Sequence, residues 1–279
     1  MMKRIMKKYL WIIGLGLILP AVAWKTIASN KVLVDLECYE EKGKTFYRGV
    51  WMKGKGGQTL KNYATTDEFE ADVEVMTAAG SALRDIAMKE TEDGFQVVAV
   101  YDKAAETSAL VRLNSWEEFE EDWKAKQKEG MQIIDFDFYS YLGEDVYYGI
   151  YRKMDKKSEV FFNANWTKMS EEIVEKGGKK WELMDVDRAK IDGSWHYVAF
   201  FNETEKPLEY KAFKVSSNEA VERQAGANAK KGIILTEADG FIQGNTITHL
   251  VVYVKQPQPN GLFTSEDWES FETKFNEWN

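Results

Sequence analysis

The sequence predicts an α+β fold: a tandem array of five β-β-β-α repeats that builds a curved sheet with helices on one side. Three observations carry this. An apolar, aromatic-rich segment recurs as Tyr47-Arg48-Gly49-Val50-Trp51, Val97-Val98-Ala99-Val100-Tyr101, Tyr147-Tyr148-Gly149-Ile150-Tyr151 and Tyr197-Val198-Ala199-Phe200-Phe201, with starts 50 residues apart (97 − 47, 147 − 97, 197 − 147). A fifth copy, His249-Leu250-Val251-Val252-Tyr253, begins 52 residues after the fourth (249 − 197). Twelve residues before each start stands an acid, Asp35, Asp85, Asp135, Asp185 or Glu237, closing an apolar run. A fixed period of this length marks a repeat architecture, in which each unit buries its apolar face against its neighbours.

Within the third unit, Met131 to Phe138 reads as a strand and residues 139–145 as a turn-forming connection. Val146 to Arg152 is the anchor strand, Glu159 to Ala164 a third strand. Asn165 caps a helix that runs to about Lys176 and is stopped by Gly177-Gly178. Capping boxes at Thr65-x-x-Glu68, Ser115-x-x-Glu118 and Ser216-x-x-Glu219 start other helices. Phe69, Val73 and Met76, then Trp116, Phe119 and Trp123, then Trp268, Phe271, Phe275 and Trp278 give each helix one apolar stripe. The anchor strand is apolar on both faces in its middle copies, so it is central in its sheet and covered twice. One face reads large, small, large, as in Tyr147, Gly149, Tyr151, which leaves room for a helix or neighbouring strand.

The chain opens with a targeting pattern, residues 1–23. Lys3, Arg4, Lys7 and Lys8 precede an apolar run of eleven from Tyr9 to Leu19, then Pro20 and a small-x-small site, Ala21-Val22-Ala23. An uncleaved interfacial anchor and a cut after Ala28 are the alternatives. Residues 24–279 form a single repeat domain, with repeats at about 31–80, 81–130, 131–180, 181–231 and 232–279. Removing the leader takes the formal charge from −9 to −13, since it holds four cations and no acid. An acidic protein of this kind disfavours nucleic acid and anionic membrane surfaces, and no stable membrane insertion is expected once the leader is gone. One cysteine, Cys38, closes no disulfide within a monomer. The expected location is periplasmic or extracellular.

The shared pattern Trp116-x-x-Phe119, Gly130, Ile133-Ile134-Asp135, then Tyr147-Tyr148-Gly149-Ile150-Tyr151 resembles the bacterial tandem repeat domain at the N-terminus of polyglycine hydrolases. The resemblance covers nearly all of the chain after the leader and implies the repeat fold. Those hydrolases also carry a serine-hydrolase domain similar to β-lactamases; here no serine is followed three residues later by lysine, so no catalytic residue carries over.

Paired acids recur as Asp35-x-Glu37, Asp135-x-Asp137, Asp185-x-Asp187 and Glu237-x-Asp239, with Asp85 alone in the second unit. Ca²⁺ needs about six to eight oxygens, and two per unit without an Asp/Asn/Gly-rich loop are too few, so no metal is expected. A glycosidase needs two carboxylates ~5–10 Å apart in distinct environments, and near-identical pairs argue against that. The expected roles are structural: the first acid hydrogen-bonds backbone at the turn and the second is solvated. Ser194 lies two residues from His196, yet no Gly-x-Ser-x-Gly elbow is present, and His196 and His249 are expected at the surface or partly packed. No catalytic residue and no cofactor is assigned. Four aromatics fall outside the repeat consensus near hairpin loops, where repeat proteins bind ligands: Tyr139, Tyr141, Trp181 and Trp195. The functional expectation is a non-enzymatic binding or scaffold role toward a protein or carbohydrate, with a hydrolase of cell-envelope or extracellular polymer as the alternative.

Overall fold

The computed structural model describes residues 31–91, 94–103, 108–243, 246–256 and 260–279. The leader and both cleavage positions lie outside them. The described residues form five units of three strands and a helix. These are β1 (Lys31–Glu41), β2 (Lys44–Lys53), β3 (Thr59–Tyr63) and α1 (Thr66–Ala78); then β4 (Ser81–Thr91), β5 (Gly94–Lys103), β6 (Ser108–Leu113) and α2 (Trp116–Lys128). The third unit is β7 (Met131–Tyr141), β8 (Glu144–Lys153), β9 (Ser158–Asn163) and α3 (Trp166–Gly178), and the fourth is β10 (Trp181–Ile191), β11 (Ser194–Glu203), β12 (Tyr210–Val215) and α4 (Asn218–Ala229). The fifth is β13 (Ile233–Gln243), β14 (Thr246–Lys255), β15 (Asn260–Ser265) and α5 (Trp268–Trp278).

The strands divide into five separate three-stranded antiparallel sheets rather than running on as one hydrogen-bonded sheet. The anchor strand is central in each, as its two apolar faces require. Its first neighbour is the first strand of its own unit. Its second neighbour comes from the unit before: β3 pairs with β5, β6 with β8, β9 with β11 and β12 with β14. The fifth unit's β15 pairs with β2 of the first unit, Leu262 opposite Val50. The array is therefore a closed ring. Its first strands meet around the axis in order, β13 returning to β1, and its donated strands form the outer edges.

The core is a cycle of five apolar layers, each between two successive sheets. Around α2, for instance, Phe119 and Trp123 meet Ile133, Phe136 and Tyr151 of one sheet and Val198 and Phe200 of the next. The alternation of anchor side chains feeds one layer on each side. The small anchor residue admits the helix: a Cβ on Gly149 would lie 2.9 Å from Phe119 Cε2. The last layer joins Tyr253 and Val251 of the fifth unit to Val50 of the first.

Local differences from the sequence reading have clear causes. The connection in the third unit is two residues, Leu142-Gly143, not seven. Both have positive φ, 50° and 86°, as do Lys42-Gly43 and Asp192-Gly193, which is the turn whose twist matches paired strands. Strand pairing thus extends to Tyr141 and restarts at Glu144. Gly177 does not stop α3. It is buried inside the helix where Tyr210 and the Leu208 carbonyl come close, and Leu208 N donates to its carbonyl at 2.8 Å. Thr65, Ser115 and Asn165 cap as read, but α4 is capped by Ser217, whose hydroxyl accepts from Ala220 N, one residue later than Ser216.

The C-terminal stripe is core. Phe271 and Phe275 are fully buried, and their partners are Tyr47 and Trp51 of the first unit together with Phe263 of β15. The terminal helix therefore covers the sheet that closes the ring, in which two of three strands belong to the first unit. Phe271→Ala is expected to cost about 3–5 kcal/mol, the range for a buried aromatic truncated to Ala. Chemical denaturation checks it, and an unchanged midpoint would mean that the closing layer does not hold the ring.

Candidate functional site

Each first strand carries a bulge just before its first acid, with register shifts at Leu33/Asp35, Leu83/Asp85, Ile133/Asp135, Leu183/Asp185 and Leu235/Glu237. The inserted residue reverses the facing of everything that follows. All five first acids thereby turn from the layers to the axis, where they line a cavity of about 10 Å³. Four of them reach the backbone of the preceding unit around the ring. Leu36 N donates to Asp85 Oδ2 at 2.9 Å and Phe136 N to Asp185 Oδ2 at 3.1 Å, while the Ile86 amide serves Asp135 and the Ala238 amide serves Asp35, across the closure. Glu237, one methylene longer, meets the Asp35 side chain. Backbone hydrogen bonding was the role expected of these acids, but the partner is the neighbouring unit's strand and not a turn.

The second acids are not solvated. Glu37, Asp137, Asp187 and Asp239 form a second layer over the first, with Ala87 in the fifth position. Phe138 N donates to Asp187 Oδ2 at 3.0 Å. Burial raises the carboxyls of Asp85, Asp137, Asp185 and Glu237 well above the usual carboxylate range, and neighbouring acids raise them further. Glu37 and Asp187 are raised for the same two reasons. Burial also takes Asp135 to about 7 and Asp239 to about 6, donors and positive neighbours offsetting part of the rise. Like charges this close in a buried site favour shared protons over full ionisation. Four oxygens meet no donor: Oδ2 of Asp35, Asp135, Asp137 and Asp239.

Above the second layer the hairpin ends open into a cavity of about 360 Å³ whose floor is Glu37, Asp137, Asp187 and Asp239. Every unit supplies an aromatic to its wall: Tyr39, Phe95, Tyr139, Trp195 and Phe241 in chain order. Tyr139 is fixed by two hydrogen bonds, accepting from Met88 N at 3.0 Å and donating to Asp137 Oδ1 at 3.0 Å, and its ring lies 5.4 Å from Phe95. On the opposite side the Arg188 guanidinium sits 4.5 Å from the Trp195 ring and 4.2 Å from Phe241. Trp195 is 45% exposed, on the two-residue hairpin at Asp192-Gly193.

Three of the four aromatics singled out from sequence gather here. Tyr139 and Trp195 line the mouth, and Tyr141 packs at 5.3 Å against Phe95 beside a smaller cavity of about 170 Å³ that shares Tyr139 and Phe95. Trp181 does not join them: it begins β10 at the far end, half-buried under Lys176. Sequence reading missed Phe95, Phe241 and Arg188 and placed the acids elsewhere. A signal was present. Core residues Leu83, Ile86 and Met88, then Ile133, Phe136 and Phe138, break a period of two by one residue at the acid, which is the imprint of a bulge.

His249 is fully buried, not superficial. Its Nδ1 lies 3.1 Å from Arg48 Nη1, and burial, then Arg48, lower it to about 3. His196 is half-buried, with its ring against Phe162 and Nδ1 2.9 Å from the Ser194 carbonyl, a backbone contact rather than one with the hydroxyl. Burial pushes the Cys38 thiol up to about 12, so it is a poor nucleophile. Among the described residues no group of three or more His, Cys, Asp or Glu side chains is arranged to hold a metal ion, and no helix is long and apolar enough to cross a membrane. No protein-family model matches the sequence, and no curated protein matches it.

A carboxyl raised on folding gives stability that is complete below its unfolded value and fades as pH rises through its folded one. The axial acids therefore make the protein less stable as pH climbs from about 4. His249, lowered on folding, acts in the opposite direction, but only below its ordinary value of 6.5. Between pH 6.5 and 8.5 the acids act without it, and the melting temperature should fall across that interval. Asp135→Asn keeps an acceptor for the Ile86 amide without the charge, so its fall should be shallower; calorimetry at both pH values measures the two slopes.

Proposed function

We propose that this chain is an exported, non-enzymatic binding or scaffold protein that takes its ligand, part of a protein or a carbohydrate, in the axial mouth. The observation that carries the proposal is the aromatic-walled cavity of about 360 Å³ to which all five units contribute. That size suits a sugar unit or a few side chains, and aromatic walls over a few fixed polar groups are the usual composition of such sites. The leader pattern supports export, and the likeness of the repeats to those of polyglycine hydrolases supports a role as the non-catalytic part of an envelope or extracellular system. A binding role is favoured over a hydrolase because the acids recur at equivalent positions in successive units, whereas a hydrolase places its two carboxylates in one distinct constellation.

Trp195→Ala and Phe95→Ala each remove a mouth wall; both rings also touch an inter-sheet layer, so a melting temperature close to the parent's is the control for folding. On a carbohydrate array and an immobilised peptide library, the parent should bind a restricted set and both variants should lose it. Retention of that set by both variants would place the ligand elsewhere. Stoichiometric labelling of a serine by a fluorophosphonate probe would instead revive the hydrolase.

A further inference from the structure

Resting on that reading of the mouth, we infer that the ligand presents a primary ammonium group, which descends between the aromatic walls onto the second carboxylate layer. Three features of the site converge on this chemistry. The mouth ends on four acids. Asp239 is 7% exposed, and its Oδ2 meets no donor although the side chain lines both the mouth and the axial cavity beneath. Asp137 Oδ2, beside Tyr139, is likewise without a donor. A buried carboxylate oxygen left without a donor is costly, and its polar neighbours here, Asp187 and Glu37 for Asp239, are themselves carboxyls. An ammonium brings three donors and a compensating charge to that place.

The walls agree with the floor. The rings of Phe95 and Tyr139 flank the approach, and aromatic faces attract cations once water is excluded. The mouth already holds one organic cation in this manner, since Arg188 lies over Trp195 and Phe241. Arg188 occupies that side, so the free wall is the Phe95–Tyr139 side. The charged groups facing the cavity are Glu37 and Glu40 from β1, Lys89 and Glu90 from β4, Asp137 from β7, Asp187 and Arg188 from β10, and Asp239 from β13. Six acids and two cations face the cavity, so the field favours a positive ligand as the acids give up their protons. Ala87, where the other units carry an acid, breaks the symmetry of the second layer.

Binding of this kind is linked to protons. At low pH the acids satisfy one another by sharing protons; the ammonium takes over that role and releases them. Affinity should therefore strengthen as pH rises from 5 to 8, in the direction opposite to the stability of the unliganded protein.

Cadaverine, a five-carbon diamine, tests the inference against 1,5-pentanediol, which has the same length and hydrogen-bonding ends but no charge. Titration calorimetry on the full chain at pH 8 should give saturable cadaverine binding at least roughly tenfold tighter than the diol, with proton release seen as a dependence on buffer ionisation heat. Asp239→Asn and Glu37→Gln preserve shape and remove charge; each should weaken cadaverine roughly tenfold or more without lowering the melting temperature at pH 8. Equal affinity for diol and diamine, no saturable cadaverine binding by the parent, or unchanged affinity in both variants would overturn the inference. Binding of neutral saccharides or uncharged peptides that Trp195→Ala abolishes, with no preference for amines, would overturn it too while leaving the mouth a binding site.

Discussion

The constraint on which the structure depends is that no unit can finish its own sheet. Each anchor strand needs a partner on both edges, and the unit's own hairpin supplies one. The other is the third strand of the unit before. A chain built this way has two incomplete ends, an anchor strand lacking an edge and a donated strand lacking a host. Pairing β15 with β2 satisfies both at once, and with them the backbone groups that either edge would leave open. The apolar layers follow the same logic, because each is shared by two sheets and a fifth appears only when the last sheet meets the first.

Closure brings five first strands to one axis and, with them, five bulges and nine carboxyls. The first layer of acids is structural in a plain sense: four of its five acids stitch their unit to the preceding one through backbone amides, and anchor-strand side chains do the same to backbone carbonyls before the bulge. Arg152 Nη2 donates to the Leu83 carbonyl, and Asn202 Nδ2 to that of Ile133. The second layer has few such bonds and carries much the same desolvation cost. Buried like charges that stitch little and face an aromatic-lined opening are the kind of local conflict that marks a functional site.

Much of the fold was legible because it is local and repeated. The period, the central anchor strand, the helices and three of their caps follow from spacing and side-chain chemistry within one unit. The longer hairpins were less legible because Leu142-Gly143 lacks the usual Asn-Gly or Asp-Gly signature; Asp192-Gly193, one unit on, has it and makes the same turn. Strand donation was not legible, since nothing within β3 or β6 names the sheet that hosts it. The site was half legible. Tyr139 and Trp195 stood out as aromatics off the consensus. Phe95 and Phe241 did not, and the acids were placed in solvent because a one-residue bulge inverts a strand's two faces without changing its composition.

Closure also has to choose its register, and the seam between the fifth and first units differs from the other four in the means to do so. Where the equivalent anchor positions hold Val98, Tyr148, Val198 and Leu250, the first unit has Arg48, fully buried. Its guanidinium donates to the Ala238 carbonyl at 3.1 Å, to the Tyr39 hydroxyl at 2.6 Å and to Asn218 Oδ1, and it abuts His249. Ala238, Asn218 and His249 belong to the fourth and fifth units, so these bonds exist only when the ring is shut in this register. A slip would leave a buried cation with little to bond, a far larger penalty than apolar side chains meet when they slide past one another. The buried polar group thus supplies the specificity that apolar layers of near-identical shape lack, at the one junction where the chain's own continuity does not impose it.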